Sequence, residues 1–220
     1  MKRLLLIAAA SALLAGTALA DIITATATVD GGPPSSTASA TGQLIISAVA
    51  LGPFSLNTVI ANSQSTLPPP GILDTNTLNL QQSDPGNHTL VLDITASQLT
   101  GPGALASILS SFSVSGLTAG WTAREQTFIN GTLLADTGVF TTPSGSAFSI
   151  DPAFLSNPYS ATVVYTITSA GIGGFNGGVD ISAEVSAVPG PIAGAGLPGL
   201  LAAFAGFWGW KRRRSVTASA

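Results

Sequence analysis

One-for-one alternation of apolar and polar residues is the dominant pattern along this chain. Ile23, Ala25, Ala27 and Val29 alternate with Thr24, Thr26 and Thr28; Leu90, Leu92 and Ile94 alternate with Thr89, Val91, Asp93 and Thr95. The same period runs through 111–115, 160–168 and 179–186. Successive side chains on a strand point to opposite faces, so each run predicts a half-buried strand with a hydroxyl-rich outer face. Further strands are predicted at 43–51, 120–129, 132–142 and 146–150. Between them lie Asp30-Gly31-Gly32-Pro33-Pro34, Asp84-Pro85-Gly86-Asn87, Asn130-Gly131 and Thr142-Pro143-Ser144-Gly145. These supply the positive φ and fixed φ that turns need, and Asn130-Gly131 between two apolar runs is a strong hairpin signal. Residues 67–71 read as an exposed proline loop and 171–178 as a flexible connection. Helix signals are few: 104–109 reads as a turn or two, and Asp151-Pro152-Ala153-Phe154 as an N-cap with proline at the first helical position. Roughly nine short strands of this kind predict an all-β, antiparallel sandwich, with a jelly roll among its forms.

The two ends break the pattern. Lys2 and Arg3 precede an apolar stretch at 4–15, and Ala18-Leu19-Ala20 places small residues before Asp21. That is the layout of a signal peptide over 1–20, exported by the Sec translocon and cut by signal peptidase between Ala20 and Asp21. At the other end, residues 192–210 form 19 residues without a charge, followed by Lys211, Arg212, Arg213 and Arg214. A helix of that length crosses nearly all of the ~30 Å hydrocarbon layer. The span is therefore predicted to be transmembrane, with the basic cluster as a cytoplasmic stop. The expected organisation is a signal peptide at 1–20, a secreted sandwich at 21–187, a C-terminal sorting or anchoring element at 188–214 and a cytoplasmic tail at 215–220.

Charge follows the same division. All ten acidic residues lie within 21–188, whereas Arg124 is the only one of the seven Lys and Arg found there, giving that stretch a formal charge of −9. Nucleic acid is excluded as a partner, because phosphate binding needs clustered cations. The chain has no cysteine, which excludes disulfides, thiolate metal sites and cysteine nucleophiles.

Candidate chemistry is sparse, and no catalytic residue or cofactor is expected. His88 is the only histidine; its nearness to Ser83 and Asp84 suggests a triad, but 84–87 reads better as a tight turn. Asp74, Asn76 and Asn79 offer oxygen ligands for calcium in what reads as a loop over 74–79, without the central glycine or terminal glutamate of an EF-hand loop. Arg124 and Glu125 should face opposite sides of a strand and meet cross-strand partners, with Arg124 as the alternative ligand clamp. Trp121, Phe112, Phe128, Phe140 and Phe148 could stack on sugar rings, although alternating strands favour packing them in the core. Asn87-His88-Thr89 and Asn130-Gly131-Thr132 match the N-glycosylation pattern, both in turns.

Val188-Pro189-Gly190-Pro191, the apolar span and the Lys211 to Arg214 cluster together resemble the PEP-CTERM sorting signal, with Gly190 where the family has glutamate. The resemblance covers 188–214. It implies a Gram-negative exported protein, held at the inner membrane by its C-terminal helix and processed by an exosortase-like membrane protease for the cell surface or the exopolysaccharide matrix. The leading expectation is thus a non-enzymatic surface or biofilm-matrix protein, with extracellular polysaccharide as a further partner. The alternative is a calcium-dependent or carbohydrate-binding adhesin, and a secreted hydrolase comes third.

Overall fold

The computed structural model describes residues 21–63 and 71–184. Twelve strands occupy them: β1 (Ile22–Val29), β2 (Ser35–Ser39), β3 (Gln43–Leu51), β4 (Phe54–Asn62), β5 (Gly71–Gln82), β6 (Asn87–Leu99), β7 (Ala104–Ser115), β8 (Thr122–Ile129), β9 (Thr132–Phe140), β10 (Ser144–Leu155), β11 (Tyr159–Ala170) and β12 (Gly173–Glu184). They form two antiparallel six-stranded sheets, ordered β2-β1-β6-β11-β8-β9 and β10-β7-β12-β5-β4-β3. The last eight strands split into β5-β12-β7-β10 and β6-β11-β8-β9, and the chain crosses between sheets at every step except the β8–β9 hairpin. That winding is the jelly roll. The first four strands extend it, β1 and β2 beside β6, β3 and β4 beside β5.

The alternation read from the sequence fills the space between the sheets. Ile23, Leu90, Leu92, Ile94, Val163 and Ile167 from one sheet, and Leu56, Val59, Leu80, Ile108, Phe112 and Ile181 from the other, are all buried in one apolar core. Trp121 closes it at one end, donating its indole N–H to the Gly171 carbonyl at 3.2 Å and meeting Phe54 edge-on. At the predicted hairpin, Asn130 and Gly131 both have positive φ, as a two-residue turn matched to strand twist requires.

Three expectations are corrected. Residues 104–109 belong to β7, where Ala106 and Ile108 face the core and every second residue faces outward. Residues 151–154 belong to β10, paired with β7 along its whole length. Pro152 is tolerated because β10 is an edge strand with a neighbour on one side only. Residues 173–178 are strand rather than flexible connection, since β12 is clamped between β5 and β7. At Gly177 a Cβ would lie 2.4 Å from the Phe175 ring and 3.1 Å from Glu125 Oε1, so the glycine is there for space. The signal peptide, the Val188 to Pro191 motif, the 192–210 span and the basic cluster lie outside the described residues. Among the described residues no helix is long and apolar enough to cross a membrane.

Candidate functional site

The outer faces of the two sheets differ in chemistry. On the β1, β6 and β11 face, threonines dominate and bond to one another, as in Thr95–Thr162 at 2.8 Å and Thr89–Thr168 at 3.3 Å. Arg124 lies on this face, its guanidinium engaged with both carboxylate oxygens of Asp136. The guanidinium bonds are the main cause holding Asp136 at about 2. Arg124 is thus committed to its cross-strand partner, the arrangement expected of it.

The outer face of β10, β7, β12 and β5 carries an apolar strip. Phe148, Ile150, Pro152 and Phe154 succeed one another at every second position of β10. Phe148 is 76% exposed and Phe154 57%, and Leu105 of β7, opposite Phe154, is 73% exposed. Six residues of strand at ~3.3 Å each separate the two phenylalanines by about 20 Å. Phe154 also lines a cleft of about 350 Å³ at the sandwich edge, with Leu133, Leu134, Asn130 and Ala153.

Polar groups flank the strip in registered rows. Phe148 stands opposite Ser111, Ser111 opposite Asp180, and Asp180 opposite Asp74. Four residues back along β12, two rows away on the same face, three amides form a chain: Asn57 Nδ2 donates to Asn79 Oδ1 at 2.7 Å, and Asn79 Nδ2 donates to Asn176 Oδ1 at 2.7 Å. Burial, and then the neighbouring Asp180 charge, push Asp74 up to about 6. Of the residues singled out for calcium, Asp74 and Asn79 therefore lie on strand β5 rather than in a loop, and the Asn79 amide is spent on other amides. The side chain of Asn76 lies outside the described residues. Among the described residues no three acidic or histidine side chains gather in metal-binding geometry.

His88 is held between two carboxylates. Its Nδ1 lies 2.8 Å from Asp30 Oδ2 and its Nε2 3.6 Å from Asp84 Oδ1. The Asp30 hydrogen bond is the chief cause of its raised pKa. Both ring nitrogens face carboxylates, so the hydroxyl–imidazole–carboxylate order of a triad with Ser83 is not assembled. Gly86 N donates to Asp84 Oδ1 at 2.7 Å, the turn chemistry read from the sequence.

Glu125 faces the core and is completely buried, with neither carboxylate oxygen hydrogen-bonded. Burial pushes it up to about 8, so it is held as the neutral acid at neutral pH. Thr75 and Tyr165 hydrogen-bond beside the same interior, and Thr75 Oγ1 also donates to the Val179 carbonyl at 3.1 Å. The Glu125 charge adds to burial in raising Tyr165.

Of the five aromatic residues proposed as a sugar platform, Trp121 and Phe112 are in the core and Phe140 packs against it. Phe128 lies half-buried on β8. Only Phe148 lies on the exposed strip. Its companion Phe154 was hidden by the Asp-Pro helix signal, although the alternation from Phe148 to Phe154 was there to be read.

The features so far define an all-β jelly-roll domain with an exposed apolar strip on the outer face of one sheet. No family model matches the chain, and no curated protein matches it in sequence. Several solved structures resemble it loosely. The enzymatically active domain of tailspike protein 4 from bacteriophage CBA120 is 17% identical with a TM-score of 0.29, covering 57% of this chain and 18% of that one. TmCBM61 in complex with β-1,4-galactotriose is 12% identical with a TM-score of 0.30, covering 56% and 82%. CBM51-2 with the INT domains of Clostridium perfringens ZmpB, in complex with GlcNAc, is 12% identical with a TM-score of 0.25, covering 68% and 36%. The chain thus spans less than a fifth of the tailspike structure. Superpositions this loose carry no argument about function.

Proposed function

We propose that this is an exported, non-enzymatic surface or matrix protein whose jelly-roll domain holds extracellular polysaccharide on the outer face of β10, β7 and β12. The exposed strip from Phe148 to Phe154 carries the reading. Sugar rings present apolar faces that stack on aromatic side chains, and hydroxyls that need polar neighbours. Ser111, Ser113 and Asp180 supply those neighbours beside the strip. The signal peptide at 1–20 and the PEP-CTERM-like element at 188–214 support a location outside the cytoplasm, first at the inner membrane and then at the surface.

The test is electrophoresis of the full chain through gels containing single polysaccharides. Retardation by at least one polymer is expected. Phe148→Ala with Phe154→Ala should weaken it by about tenfold or more, because truncating aromatic anchors typically costs ~2 kcal/mol. Retardation unchanged in the double variant would reject the strip as the binding face.

A further inference from the structure

The chain contains two Asp-Pro bonds, Asp84-Pro85 and Asp151-Pro152. Such a bond carries its own nucleophile, because the aspartate carboxylate can close a five-membered ring on its own main-chain carbonyl and expel the proline nitrogen. The two bonds differ in their surroundings. Asp151 lies within β10, paired with β7, and its carboxylate accepts from Ser149 Oγ. Asp84 lies in the turn between β5 and β6, where the side chains of Gln82 and His88 both reach it. Gln82 Nε2 donates to the Asp84 carbonyl at 2.7 Å and to the Gly86 carbonyl at 2.7 Å. Gln82 is 3% exposed and its Oε1 is buried without a hydrogen-bond partner, so the amide is held for its two N–H groups while one acceptor goes unmet. Gly86 N orients the Asp84 carboxylate at 2.7 Å, and His88 Nε2 stands 3.6 Å from Asp84 Oδ1. A Cβ at Gly86 would lie 2.8 Å from His88 Nε2 and 3.0 Å from Asp84 Oδ1, so this glycine keeps the approach open.

We propose that this turn cleaves itself once, the Asp84 carboxylate attacking the Asp84 carbonyl carbon and expelling the Pro85 nitrogen, with Gln82 and His88 as catalytic residues. A C–O bond closes the cyclic anhydride as the C–N bond breaks. Charge developing on the carbonyl oxygen meets a Gln82 N–H already in place. The imidazolium of His88 gives its proton to the leaving nitrogen, directly or through one water. Water then opens the anhydride, leaving Asp84 as a C-terminus, Pro85 as an N-terminus and a proton to restore His88. Asp30, Asp84 and the edge of Phe54 surround the imidazole. Asp30 is a positioning residue: it takes Nδ1 at 2.8 Å, and its hydrogen bond is the chief cause of the raised His88 pKa, which keeps the proton donor charged nearer neutrality. The two pieces stay together, since β1 pairs with β6 and β5 with β12 across the cut.

The test is incubation of the folded full chain in mild acid, about pH 5 to 6, where histidine is charged, followed by denaturing electrophoresis, N-terminal sequencing and gel filtration. A fragment beginning at Pro85 is expected, none beginning at Pro152, and native elution is unchanged. Unfolding the chain in denaturant should erase that selectivity. Asp84→Ala should abolish the cut. His88→Gln and Gly86→Ala, at positions that are not buried, should slow it at least about tenfold, and Gln82→Ala by about a hundredfold, the order of one lost oxyanion donor. Asp30→Asn should move the pH profile of cleavage to lower pH, which loss of a mere turn brace would not do. An intact chain after prolonged incubation, equal cutting of both Asp-Pro bonds in the folded chain, or an undiminished rate in His88→Gln would overturn the inference.

Discussion

Glu125 is a carboxyl group placed where a hydrocarbon would be expected, and its proton governs its cost. Its pKa is 4.5 in an unfolded chain and about 8 in the fold, so the folded state binds the extra proton between those values. Stability from this group is complete below pH 4.5 and is lost as pH rises toward 8, at about 1.4 kcal/mol per pH unit. Asp74, raised from 3.8 to about 6, acts in the same direction over its own window. Asp136, depressed to about 2, acts oppositely: its contribution is present above 3.8 and disappears as pH falls toward 2. Stability should therefore peak in mild acid. Glu125→Gln should flatten the decline above that peak, read as urea midpoints between about pH 5 and about pH 8. A decline as steep as in the unaltered protein would show that Glu125 is solvated. The adjacency of Arg124 and Glu125 in sequence disclosed that they face opposite ways. That one would be buried without a partner was not legible, because it depends on Gly177 arriving from a strand 52 positions later.

At the level of elements, β7 and β10 separate binding from stability. Phe148→Ser, on the outer face, should move the unfolding midpoint by less than about 0.5 kcal/mol. Ile108→Ala, facing the core from β7, should cost ~2–5 kcal/mol. Comparable losses in equilibrium unfolding would mean that the strip is packed against something in the intact protein. The strands easiest to read were those with unbroken alternation, β1, β6 and β11. Those misread had a competing local signal: Ala-Leu-Ala in β7 suits a helix, Asp-Pro in β10 imitates a cap, and the Asp and Asn residues of β5 and the glycines of β12 imitate loops. In each case cross-strand pairing overrode the local preference, and pairing partners are remote in sequence. The acidic pair of the candidate site was hidden for the same reason, since Asp74 and Asp180 meet only through the register of β5 and β12.

For the whole molecule, the charge division remains the clearest statement the sequence makes. If residues 1–20 are a signal peptide, N-terminal sequencing of exported protein should begin at Asp21, with small residues at positions 18 and 20 guiding the cut; a terminus at Met1 would reject cleavage. The winding has a further bearing on how such a chain is made. β12, the last strand described, lies in the interior of its sheet, with β5 on one side and β7 on the other. Until it arrives, that sheet has a slot through its middle, and the core has no Phe175, Val179 or Ile181. Synthesis therefore delivers this keystone after every other described strand, and a chain exported as proposed should stay pliable until β12 has emerged. Chains ending before Gly173 should accordingly be protease-sensitive over their whole length, and a resistant shorter fragment would show that the arch can stand without its final stone.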